Sequence, residues 1–152
     1  MVGKSRTIVA VFVLTMLFGG TMAFGQSRPS ALVIKSPFCG CCSEWVTHLE
    51  QNGFQVRIQD VQDLRGVKES YGIPGSLESC HTAVIGSYVI EGHVPAADIL
   101  RLLEEAPDAA GLAVPGMPIG SPGMEVPGTP ADPYDVLLFY RGGDTEVYSS
   151  YR

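Results

Sequence analysis

Ala31-Leu-Val-Ile-Lys35, Ser36-Pro37-Phe38, Cys39-Gly40-Cys41-Cys42 and Phe54-Gln-Val-Arg-Ile58 decide the fold between them. The first is a short apolar run with β-branched residues, so it reads as a buried strand. Ser36-Pro37-Phe38 breaks it. A helix is predicted over residues 42–51, where Trp45, Val46 and Leu49 form one apolar face. Asn52-Gly53 stops it. Phe54 to Ile58 alternates apolar and polar, as a second strand does. Strand, helix, strand at this spacing is a βαβ unit, with parallel strands and a right-handed crossover.

Working outward, a short helix is predicted over residues 62–71, ended by Gly72 and Pro74. Two β-rich runs, 81–85 and 88–91, flank Gly86-Ser87, a hairpin signal with glycine at the first turn position. Pro95 opens a further helix with Ile99, Leu100, Leu102 and Leu103 as its apolar face, and Pro107 ends it. Residues 111–133 change texture to Gly, Pro and Met, which predicts a long irregular loop. Residues 134–140 read as a strand, Arg141 to Asp144 as a turn, and 146–151 as one more short strand or a tail. The fold class expected is α/β with a small mixed sheet, flanking helices and a long Gly/Pro/Met loop. The order β-α-β-α-β-β-α resembles a thioredoxin-like fold. Pro74 precedes the hairpin there, but Ser79-Cys80 lies at the start of the strand, so Cys80 is expected to face the cysteine group.

Toward the amino terminus, Lys4 and Arg6 precede an apolar run from Ile8 to Phe18, with small residues following at cleavage spacing. Residues 1–25 therefore read as a signal peptide, with a retained anchor as the less favoured alternative. Three segments follow from this: the leader 1–25, a domain over 31–140 and a carboxy-terminal piece over 141–152. Without the leader the balance is eight basic against sixteen acidic residues, a net charge of −8. That argues against a nucleic-acid partner. No later segment is suited to span a membrane, so no stable membrane insertion is expected once the leader is removed.

Cys39, Cys41, Cys42 and Cys80 carry the chemistry. Thiolates are soft ligands and select Cu(I), Zn or iron–sulfur clusters over Mg or Ca. The start of a helix adds free backbone N–H groups and partial positive charge, both favouring thiolate over thiol. Cys39 and Cys42 also have the spacing of a dithiol–disulfide pair, the one unstrained disulfide available within the trio. The thiol between them is needed by a metal cluster and not by a redox pair. His81 adjoins Cys80, and His81 and His93 sit at the two ends of the hairpin, so their imidazoles are expected to lie close. His48 is expected to face elsewhere. Met117 and Met124 stand on the Gly/Pro scaffold, and thioether sulfur suits Cu(I) far better than Zn(II). Glu44, Glu91 and Glu125 receive no role, and Trp45 reads as core. The expected metal ligands are thus Cys39, Cys41, Cys42, Cys80, His81, His93, Met117 and Met124. Copper is favoured and zinc remains possible.

The stretches Ser36 to Cys42, Trp45, Ser79-Cys-His-Thr-Ala83, Glu91-Gly-His-Val-Pro95 and Gly111 to Glu125 resemble those of a family of exported bacterial proteins. The family is catalogued as a domain of unknown function and as predicted metal-binding proteins, and it overlaps the CopG copper-resistance proteins. The resemblance implies a thioredoxin-like periplasmic domain, copper binding by the cysteines and a role in copper tolerance, with other periplasmic copper-handling proteins as partners. It leaves open whether the chain is an enzyme. If it is redox-active, Cys39 and Cys42 would be the working pair.

Overall fold

A computed structural model describes residues 28–152. The leader expected over 1–25 lies outside them. The elements in order are β1 (Ser30–Lys35), α1 (Gly40–Gln51), β2 (Gln55–Asp60), α2 (Arg65–Ser70), a 3₁₀ turn (Gly75–Leu77), β3 (His81–Ile85), β4 (Tyr88–Glu91), α3 (Ala96–Glu105), β5 (Gly111–Ala113), β6 (Tyr134–Phe139) and β7 (Thr145–Tyr151). They build one seven-stranded mixed sheet in the order β2-β1-β3-β4-β5-β6-β7. β1 and β2 are parallel, as the βαβ reading requires. β3 and β4 form the expected hairpin, with Ile85 opposite Tyr88 and Gly86 at φ +62°.

Side-chain alternation sends successive residues to opposite faces of the sheet, and each face has its own apolar cluster. On one, Trp45, Val46 and Leu49 of α1 and Ile99 and Leu102 of α3 pack over Val33, Ala83, Ile85, Ile90, Leu112 and Leu138. On the other, Ile73 and Leu77, from the segment around the 3₁₀ turn, pack with Ala113 and Phe139. Trp45 is fully buried, and its indole N–H donates to the Val94 carbonyl at 2.9 Å. That bond ties α1 to the segment leaving β4.

Two expectations need correction, and the second strand takes an outer place. Residues 111–133 are not wholly irregular, because Gly111–Ala113 is a buried strand between β4 and β6. A Cβ at Gly111 would fall 1.7 Å from the Val89 carbonyl oxygen, so the close pairing there requires glycine. Leu100 does not belong to the buried face of α3 and is 39% exposed; Ala96 takes part in its place. β2 alternates in sequence but forms an outer strand, with Ile58 half exposed. Beyond residue 140, β7 pairs along β6 across a register shift between Val136 and Leu137.

Candidate metal centre

Four chain segments meet at the end of the sheet where β1 stops: the turn into α1, the approach to β3, the exit from β4 and the loop over 115–125. Cys39 is the residue capping α1. Its sulfur accepts the Cys42 amide at 3.3 Å, doing with sulfur what a serine hydroxyl does at other helix starts. Cys39 and Cys42 form a disulfide with their Cα atoms 5.3 Å apart, the pairing that the spacing allows. Cys41 and Cys80 are free, and Cys41 Sγ lies 3.4 Å from Cys39 Sγ. Cys42 Sγ lies 3.7 Å from the Cys80 carbonyl oxygen. All four sulfurs fall within 4.8 Å of one another. Cys80 thus faces the cluster, as its place before β3 suggests.

Cys80 also belongs to a second group with His81 and His93. Its sulfur lies 3.0 Å from His93 Nε2 and 3.3 Å from His81 Nδ1. The two rings meet edge to face, 5.1 Å between centroids, confirming that the hairpin ends bring them together. Burial, with further contribution from the Cys41 charge, pushes the Cys80 thiol up to about 12. The free thiol therefore keeps its proton. Burial likewise holds His81 well below the usual histidine range, helped by His93 and Lys68, and lowers His93. Both rings are neutral imidazoles, the form that binds metals.

The tautomer of His93 follows from its partners. Its Nδ1 lies 2.8 Å from the Pro122 carbonyl, which can only accept, so Nδ1 carries the hydrogen. Nε2 then presents a lone pair to Cys80. A carbonyl orienting a histidine in this way is what metal-ligating imidazoles ordinarily have. His81 packs against Trp45 with the rings tilted by 43° and 4.4 Å between centroids, so the tryptophan is a platform for the site as well as core. His81 Nε2 is buried and has no hydrogen-bond partner. The ring nitrogen that faces the Cys80 sulfur is Nδ1, and imidazole nitrogen beside thiol sulfur suits a soft or borderline cation.

The loop over residues 115–125 is a strap. Besides the Pro122 carbonyl on His93, Gly123 packs so closely on the first turns of α1 that a Cβ there would come within 2.9 Å of the Cys41 carbonyl oxygen. Met124, which follows it, is half-buried, whereas Met117 is 52% exposed. Neither thioether is fixed as a ligand by these contacts. His48 points away from the cysteines: its Nε2 accepts the Ala96 amide at 3.0 Å and so caps α3.

One feature has no local sequence signal. Glu91 is fully buried and pairs with buried Lys68, a residue 23 positions earlier on α2. Only the sheet brings the two together. Glu44 and Glu125 are exposed.

Two solved structures share this arrangement of strands and helices. One, titled copper resistance protein CopG, form 2, is 48% identical over 83% of this chain and 100% of that chain, with a TM-score of 0.79. The other, form 1 of a protein of the same title, is 48% identical over 82% and 98%, with a TM-score of 0.77. The chain belongs to the CopG family. Residues 77–124 also match the family described as a protein of unknown function, DUF411. That match holds Cys80, His81, His93 and the strap as far as Met124, and the cysteine trio precedes it. No curated protein matches. Among the described residues, no helix of this CopG-family chain is long and apolar enough to cross a membrane.

Proposed function

We propose that this protein is an exported, periplasmic Cu(I)-binding protein that contributes to copper tolerance and exchanges its ion with other copper-handling proteins. The observation that carries the reading is the meeting of four sulfurs within 4.8 Å, with two neutral histidines on Cys80. The copper-resistance title of its 48% identical relatives supports copper over zinc, whereas thiolate and imidazole donors suit both ions. Cys39, Cys41, Cys42 and Cys80 would supply thiolates, and His81 and His93 imidazole nitrogens. Met124 or Met117 would complete the set from the strap. The strand order β2-β1-β3-β4, with β1 and β2 parallel and β3 and β4 a hairpin, supports a thioredoxin-like ancestry for this half of the sheet.

Full use of the thiols requires the Cys39–Cys42 disulfide to open, taking up two electrons and two protons from a dithiol reductant that itself becomes a disulfide. Bound copper would then replace thiol protons, so loading releases acid. The test is a competition titration against a Cu(I) chelator with reduced protein. Cys39→Ser and Cys42→Ser are each expected to weaken binding by at least about tenfold. Wild-type affinity in both would sink the assignment.

The disulfide itself favours a second reading, a thiol–disulfide oxidoreductase using Cys39 and Cys42. Insulin reduction by the metal-free protein distinguishes it: turnover lost in Cys39→Ser supports an enzyme, and no turnover from folded protein removes it.

A further inference from the structure

Cys80 follows a residue that is held from three sides. The Ser79 amide donates to Glu91 Oε1 at 2.6 Å. The Ser79 hydroxyl donates to the Gly116 carbonyl, at the base of the strap, and the Gly116 amide donates back to the Glu78 carbonyl at 3.2 Å. Gly92 closes the third side: at φ +72° its missing Cβ would fall 2.5 Å from Ser79 Oγ.

Glu91 is the centre of this clamp. It ends β4 on the face opposite Ile90 and His81, beside Thr82, its neighbour in register. Its carboxylate accepts the Thr82 hydroxyl at 2.6 Å, the Ser79 amide and the Lys68 ammonium. Lys68 also donates to Thr82 Oγ1 at 3.3 Å, and it is the residue that α2 buries. A fully buried carboxylate is costly without a counter-charge and donors, and here every contact is supplied. An apolar residue would fill the space at far lower cost in desolvation. What the carboxylate adds is an acceptor for the Ser79 amide.

We propose that Glu91 is a positioning residue for Cys80, with Lys68 as its buried counter-ion: from the far face of the sheet it grips the Ser79 amide and so sets the Cys80 thiol against the cysteine trio and the two histidines. The proposal rests on the reading of Cys80 as a metal ligand.

Its test uses Glu91→Leu/Lys68→Met, which removes both charges and leaves apolar side chains in their place, with Cys80→Ser as reference. Cu(I) affinity is measured by chelator competition, and fold by thermal unfolding of the reduced, metal-free protein. The rate at which iodoacetamide labels Cys80 in metal-free protein is followed by peptide mass. The double variant is expected to fold, to bind Cu(I) about tenfold more weakly and to label at Cys80 several times faster, as for a lost outer partner of a metal ligand. A folded double variant with wild-type affinity and wild-type labelling overturns the proposal. If Cys80→Ser keeps full affinity, Cys80 is no ligand and that part of the proposed function fails. The labelling rate then decides positioning alone, an unchanged rate overturning it. Should the double variant not fold, Glu91→Gln keeps the shape with a weaker, neutral acceptor. Faster Cys80 labelling in it supports the clamp, and an unchanged rate overturns it.

Discussion

The β6–β7 edge of the sheet and the cysteine site where β1 stops differ in how completely their polar groups are partnered. At the β6–β7 end, Asp98 of α3 is nearly buried and accepts the Ser149 and Tyr151 hydroxyls, with Arg101 3.5 Å away. Arg101 lies over the Tyr148 ring, the Tyr148 hydroxyl donates to Glu105, and Tyr134 stacks on Tyr151. These side chains partner one another, and the group fastens β7 to α3. At the cysteine end, His81 Nε2 is buried and has no partner. Burying polar atoms without partners costs stability, so the second end carries a cost that the first avoids. The contrast separates a fastening from a binding site more sharply than burial does, since both groups mix buried and half-buried residues.

The largest effect that would probe this contrast is at Trp45. Trp45→Ala removes a fully buried indole and the platform beneath His81, and should lower stability by about 3–5 kcal/mol in chemical denaturation. Copper affinity should fall in the fraction that remains folded. Asp98→Ala strikes the other end. It should cost about 1–3 kcal/mol for the hydroxyls left without their acceptor, with Cu(I) affinity unchanged. Equal copper loss in both variants would erase the distinction between the two ends.

The smallest effect is on pH dependence. His48, His81 and His93 are all held below the ordinary histidine value by burial, His81 furthest. The unfolded chain therefore binds more protons once pH drops below about 6.5, so metal-free stability should fall with acidification through that range and level off below the folded values. No histidine lies at the β6–β7 end, so Asp98→Ala should leave this slope intact. His48→Gln should flatten part of it, because protonation of His48 forfeits the cap on Ala96. A denaturation series from pH 7.5 to 5 is the measurement, and a flat profile would contradict the burial argument.

Local pattern accounts for much of this structure. The βαβ start, the Gly86-Ser87 hairpin and α3 each carry their own periodicity and punctuation, and with β1 paired to β3 they bring Cys80 opposite Cys39 to Cys42 and His81 beside His93. β5 was not legible. Three residues inside a Gly/Pro tract have no period, and their strand geometry comes from β4 and β6 on either side. The Lys68–Glu91 pair was hidden for a similar reason, because each residue reads as an ordinary surface charge until the sheet is assembled. The methionines mark a limit of another kind: residue type suggested ligands, yet the strap leaves Met117 half in solvent.

Cys39 has one consequence that reaches past the metal. A single sulfur is both half of the disulfide and the acceptor that caps the start of α1. Opened to a thiolate, it would bring full negative charge to the positive end of the helix, where the disulfide offers only a weak neutral acceptor. Reduction should then tighten the first turn of α1 instead of loosening it. Hydrogen exchange at the Cys42 amide becomes a built-in gauge of the cluster's electron count, readable before any ion arrives.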